Sequence, residues 1–231
     1  MNQQQLPLGF RLRDDATFDN YLSEGNRQAL HDVLDILKGK GESLLYLWGQ
    51  EGAGRSHLLQ ASCHAAPEFN QTAVYLPLED IQNLNPEIFA GLENIDLVCI
   101  DDVDQVAGKA VWEEELFHLF NKIRANGNRL LVAASCAPAQ LQINLADLKS
   151  RLSWGVVYQL HILDDEQKLA ALQLRALVRG LDLDKLVGKF LLRRCPRDMA
   201  QLFVTLEQLD QASLAQQRRL TIPFVKEVLG V

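Results

Sequence analysis

Apolar and polar positions change rhythm along this chain, and the changes mark its organisation. Residues 1–24 are polar and turn-rich. They read as a flexible arm reaching to about Arg13, then a segment tied down by Phe18 and Tyr21. From Asn26 to Leu37 the apolar residues Leu30, Val33, Leu34 and Leu37 recur at helical spacing, which predicts a helix ended by the glycines of KGKGE. Short apolar runs then alternate with helical stripes. SLLYLW (43–48), AVYLPL (73–78), IDLVCIDD (95–102), NRLLVAAS (128–135) and GVVYQL (155–160) read as strands. HLLQASCHAA (57–66), PEIFAGL (86–92) and VWEEELFHLFNKIRAN (111–126) read as helices, the last carrying a stripe of Leu116, Leu119, Phe120 and Ile123. The third strand is apolar on both faces, as a central parallel strand must be. This rhythm predicts an α/β fold, a five-stranded parallel sheet flanked by helices.

Beyond Asp164 the strand signal stops. Residues 164–180, 184–194, 196–215 and 221–230 each carry a helical pattern, with Thr221 as a cap for the last. The expected division is an arm (1–13), an α/β domain (14–163) and a small all-α domain (164–231).

Composition narrows the function. The chain has 231 residues, 48% hydrophobic and 23% charged, with a formal net charge of −7. That balance disfavours direct nucleic-acid binding, and the pairs Arg193-Arg194 and Arg218-Arg219 read as solvated helix faces. No apolar run is long enough to cross a membrane and no leader pattern opens the chain, so a cytoplasmic location is expected. The four cysteines are scattered without a CxxC, and the five histidines show no HExxH spacing. Zinc chemistry is therefore not expected.

The chemistry lies in GQEGAGRS (49–56), which fits G-x-x-x-x-G-[K/R]-S between a strand and a helix. Gly49, Gly52, Ala53 and Gly54 let backbone N–H groups turn around phosphate oxygens, and the helix adds its positive end. Ser56 offers a hydroxyl to Mg²⁺. Arg55 stands where such loops carry lysine. It keeps the charge but is bulkier and planar, so nucleotide binding can survive while hydrolysis falls. Asp101 and Asp102 end an apolar strand in the Walker-B manner: Asp101 would hold Mg²⁺ through water and Asp102 would orient an attacking water. Three further residues stay open. Ser135 ends the strand beside the loop, as a γ-phosphate contact or a turn serine. Arg151, before the fifth strand, is a finger for a neighbour's nucleotide site or a surface arginine paired with Asp147. Arg197, opening a helix of the small domain, is a phosphate sensor or a solvated first-turn arginine.

These pieces together resemble the DnaA branch of the AAA+ ATPases over almost the full length. The matching stretches are TFDNYLSEGNRQAL (17–30), LWGQEGAGRSHLL (47–59), IDD (100–102), DLKSRLSWG (147–155), AALQLRA (170–176) and LTIPFVKEVL (220–229). The likeness is greatest to regulatory members that inactivate DnaA. The resemblance implies a protein that binds ADP with Mg²⁺ and the β sliding clamp on DNA. It would drive hydrolysis of DnaA-bound ATP through an arginine finger, its own ATPase being weak or absent. Arg151 matches the finger, Arg197 the second sensor and Ser135 the first-sensor slot, often aspartate in this branch. Phe18, Tyr21, Asn26 and His57 join the nucleotide-binding set, the first three matching the stretch that packs around adenine. Gln3, Leu6, Pro7 and Leu8 match the clamp-binding motif Q-x-x-L-P-L, an extended peptide with two apolar anchors. DNA would be met only through the clamp, and a homodimer is compatible with the family. The competing expectations are a self-sufficient ATPase such as a helicase loader, and a small-molecule kinase.

Overall fold

The computed structural model describes Leu12 and residues 16–230; the clamp-motif residues Gln3, Leu6, Pro7 and Leu8 lie outside them. The described chain divides into two compact units, one holding residues up to Phe18 and Asn26–Leu160, the other Asp19–Gly25 and His161 onward.

The first unit is a five-stranded parallel sheet: β1 (Leu44–Trp48), β2 (Ala73–Pro77), β3 (Leu97–Asp101), β4 (Arg129–Ala134) and β5 (Val156–Gln159), in spatial order β2-β3-β4-β1-β5. Registers such as Leu45↔Leu131 and Cys99↔Leu131 align the strand ends. Helices α1 (Arg27–Leu37), α2 (Arg55–Ala65), α3 (Ala110–Ala125) and α4 (Ala146–Leu152) complete it. Strand alternation sends Tyr46, Leu76, Val98, Ile100, Leu130 and Val132 to one face. There they meet Leu116, Leu119 and Phe120 of α3 and Leu148 and Leu152 of α4. The alternate residues, Leu45, Leu47, Leu97, Cys99 and Leu131, are equally buried, and α2 packs on that sheet at β3 and β4. Cys99 is thus a small core hydrophobe.

Two elements differ from the pattern-based expectation. Residues 86–92 form no α-helix. Two 3-10 turns, Pro86–Phe89 and Leu92–Asn94, replace it, separated by extended Ala90 and by Gly91 at φ 85°. Asn85 caps the first by accepting from the Glu87 amide. The unexpected helix is α4, seven residues over ADLKSRL.

The second unit holds α5 (Asp165–Val178), α6 (Lys185–Arg194), α7 (Met199–Gln216) and α8 (Ile222–Leu229) around Leu172, Leu191, Leu202, Leu206 and Phe224. Asp164, Asp184, Asp198 and Thr221 cap the four through the amides of Gln167, Leu186, Gln201 and Phe224. These caps explain why the boundaries were legible. Among the described residues, no helix is long and apolar enough to cross a membrane.

Candidate nucleotide site

In an open parallel sheet, ligands meet the carboxyl ends of the strands. Those ends here carry Gly49 after β1, Asp101 closing β3 and Ser135 after β4. The loop leaves β1 under tight constraint. The Gly49 amide donates to the Ala134 carbonyl at 3.3 Å, and a Cβ on Gly49 would sit 2.6 Å from the Leu160 carbonyl oxygen. Only glycine fits there. Gly52 and Gly54 take φ of 79° and 88°, and Gly54 starts α2 without any side-chain cap. The first amides of α2 are therefore left for something other than a capping side chain.

Arg55 opens that helix. Its Nη2 lies 3.6 Å from Asp102 Oδ1. Its Nη1 is buried and has no hydrogen-bond partner among the described residues. A buried guanidinium N–H without an acceptor is costly, and an anion in the loop would satisfy it. Ser56 and His57 follow in the first turn, both half-buried. The His57 Nε2 bonds to the Thr17 carbonyl at 2.8 Å; a carbonyl only accepts, so Nε2 carries the proton. His57 thereby anchors the stretch leading to Phe18.

The acidic end of β3 is strongly organised. Asp101 is 1% exposed. Its Oδ2 accepts from the Tyr75 hydroxyl at 2.8 Å and its Oδ1 from the Asp102 amide at 3.0 Å. Burial and the Asp101 charge push the Tyr75 phenol far above its ordinary range. Asp102 sits in the left-handed region, φ 53° and ψ 46°, which aspartate tolerates better than most residues. Desolvation first, and the Asp101 charge second, push its carboxyl up to about 6, with Arg55 pulling the other way.

Sequence reasoning missed Asp104. Its carboxylate accepts from both the Ser135 amide (3.0 Å) and the Ser135 hydroxyl (2.9 Å). Ser135 is thus held by the 3-10 turn Val103–Val106 that follows β3. The signal was present in IDDVD, a third acid two residues beyond the pair, but nothing local distinguishes it from a turn residue.

The remaining candidates lie elsewhere. Arg151 sits in the last turn of α4, its guanidinium 4.0 Å from the Trp154 ring centroid. Arg124 approaches the same ring at 4.6 Å, and Trp154 is 54% exposed. Among the described residues Arg151 makes no ion pair with Asp147. Phe18 begins the 3-10 turn Phe18–Asn20; Asn26, buried, is the residue before α1. Tyr21 and Arg197 belong to the second unit. Arg197 lies two residues before α7 and is exposed, with Nη1 3.5 Å from Asp165 and its carbonyl accepting from Lys168. No group of three or more metal-ligating side chains exists among the described residues.

A glycine-turned loop between β1 and α2, facing carboxylates at the end of β3 in a β2-β3-β4-β1-β5 sheet, with a helical unit following, defines an AAA+ protein. The family models agree on which kind: residues 12–159 match the bacterial DnaA ATPase domain, and residues 165–229 match the lid domain of Hda. The chain belongs to the bacterial DnaA ATPase family, as an Hda-like, DnaA-related replication regulator. Solved structures share the fold. Domain III of the Thermotoga maritima replication initiation protein DnaA superposes with a TM-score of 0.77 at 23% identity, covering 96% of this chain and 98% of its own. AMPPCP-bound DnaA from Aquifex aeolicus gives 0.73 at 23% identity, covering 89% and 68%. The Thermotoga maritima RuvB Holliday junction branch migration motor gives 0.68 at 13% identity, covering 93% and 71%.

Proposed function

We propose that this protein binds a nucleotide, ADP, as a regulatory ligand and drives hydrolysis of ATP held by DnaA by presenting Arg151. Like the AMPPCP-bound DnaA structures, it would hold phosphates in the loop Gly49–Ser56, with the orphaned Arg55 Nη1 as an acceptor-seeking contact. The residues present fit Mg²⁺: Ser56 supplies a hydroxyl and Asp101 retains lone pairs beyond its two accepted hydrogen bonds. Mg²⁺ keeps several waters and needs few protein ligands. When bound, it would neutralise phosphate charge. Phe18 and Asn26, in the same unit as the loop, would flank the base.

The observation that carries the reading is the Arg55–Asp102 pair. The loop cation and the carboxylate that would orient water face each other. A carboxylate leaning on an arginine is held away from the water it would orient. The protein's own site thus favours holding over hydrolysing. Arg151, by contrast, rests on an exposed ring. An arginine supplied in trans stabilises the charge that spreads over the γ-phosphoryl oxygens in the transition state. Attachment to the clamp through Gln3, Leu6, Pro7 and Leu8 would bring the protein to DNA-bound DnaA.

The test is phosphate release from ATP-loaded DnaA in single turnover, omitting each component in turn. Release should accelerate only with this protein, clamp and DNA all present. Steady-state ATP turnover by this protein alone, at a rate matching the full mixture, would favour a self-sufficient ATPase instead.

A further inference from the structure

We propose that Glu113 is a positioning residue that couples the loop behind the nucleotide site to the helix carrying Arg151. The inference rests on the proposed role of Arg151 but has its own readout. Glu113 lies in the first turn of α3 and is 1% exposed. A charged side chain so buried must have its lone pairs occupied, and these are. Oε1 accepts from the Gly108 amide at 2.8 Å and the Asn144 amide at 3.2 Å. Oε2 accepts from Asn144 at 3.0 Å and from Leu145 at 2.8 Å.

The donors come from two separate loops. Gly108 ends the segment that begins with Asp101 and Asp102 and includes Asp104, the residue gripping Ser135. Asn144 and Leu145 are the two residues before α4. Leu145 stands at the N-cap of that helix and supplies no side-chain cap. The Glu113 carboxylate therefore takes amides at the entrance to α4 from another helix, 31 and 32 residues away in sequence. Arg151 is in the last turn of the same short helix. A displacement of segment 101–109 is handed through one carboxylate to the start of α4, and a seven-residue helix on a packed face moves as a unit.

The experiment compares amide exchange of the full-length protein with and without ADP, for the natural sequence and for Glu113→Gln. Glutamine keeps the shape but turns one acceptor oxygen into a donor facing amide N–H groups. In the natural protein ADP should slow exchange both in segment 49–58 and in segment 143–154. In Glu113→Gln the slowing at 49–58 should persist and that at 143–154 should vanish. Release from DnaA should then fall about tenfold with ADP affinity unchanged. Leu145→Pro, which deletes one donor at a φ of −75° that proline accepts, should give the same uncoupling if the glutamine variant fails to fold. An ADP effect at 143–154 that survives in the variants, or that is missing from the natural protein, overturns the proposal. If Arg151→Ala still stimulates DnaA while the uncoupling is seen, the finger reading fails and the coupling stands.

Discussion

Arg55 Nη2 approaches Asp102 Oδ1 to 3.6 Å, so the loop cation and the last Walker-B carboxylate are turned toward each other. Two predictions come from this pair. Replacing Arg55 with alanine removes the charge and the buried donor. ADP binding should weaken by about 1.5–3 kcal/mol, roughly 10- to 100-fold in Kd, measured by calorimetry. Arg55→Lys should retain binding and raise the intrinsic ATP turnover of the isolated protein, because a compact ammonium leaves Asp102 free to meet water.

The same carboxyl predicts a pH dependence. Asp102 is raised from an ordinary 3.8 to about 6 in the folded protein. Between these values the folded state binds more protons than the unfolded one. Stability from this group is therefore fully present below about 3.8 and is lost as pH rises through about 6. Asp102→Asn should remove that component. The difference in denaturation midpoint between variant and natural protein should grow in the variant's favour as pH is raised through this window.

Trp154 is predicted to hold Arg151 in place. Its ring carries Arg151 on one approach and Arg124 on another. Exposed cation–π contacts are worth about 0.5–1 kcal/mol each, so Trp154→Ala should cost about 1–2 kcal/mol of stability. It should lower the stimulation of DnaA while leaving ADP affinity untouched. Trp154→Phe, which keeps an aromatic face, should recover part of the stimulation. Equal losses in both variants would mean that indole-specific contacts matter instead.

The clamp contact gives a separate prediction. Leu6→Ala together with Leu8→Ala removes both apolar anchors of the proposed extended peptide. Clamp binding by surface plasmon resonance should fall at least about 100-fold, taking roughly 1.5 kcal/mol per truncated anchor. The Arg151-dependent chemistry should then require high protein concentration rather than disappear.

Much of the fold was legible because its signals are local. The five strands are short apolar runs, and the lid helices are capped by Asp164, Asp198 and Thr221, whose side chains bond amides three positions on. Helix α4 was not legible for the opposite reason. Leu148 and Leu152 repeat at helical spacing, but the N-cap position holds Leu145, which offers no side-chain acceptor. The acceptor for their entrance amides is Glu113, supplied by tertiary folding. Residues 86–92 misled in the other direction, since Ile88, Phe89 and Leu92 are apolar but Gly91 breaks the run. In the site, the loop, Asp101 and Asp102 announce themselves by spacing. The grip of Asp104 on Ser135 depends on β3 and β4 being neighbours, which no local pattern states.

In the proposed function, Arg151 acts on ATP held in the DnaA site. The most direct measurement is single-turnover phosphate release from ATP-loaded DnaA with clamp and DNA, comparing the natural protein with Arg151→Ala. The variant should still bind clamp and ADP but lose stimulation by about 10³-fold or more, the range an arginine finger supplies. Undiminished stimulation by Arg151→Ala would contradict it.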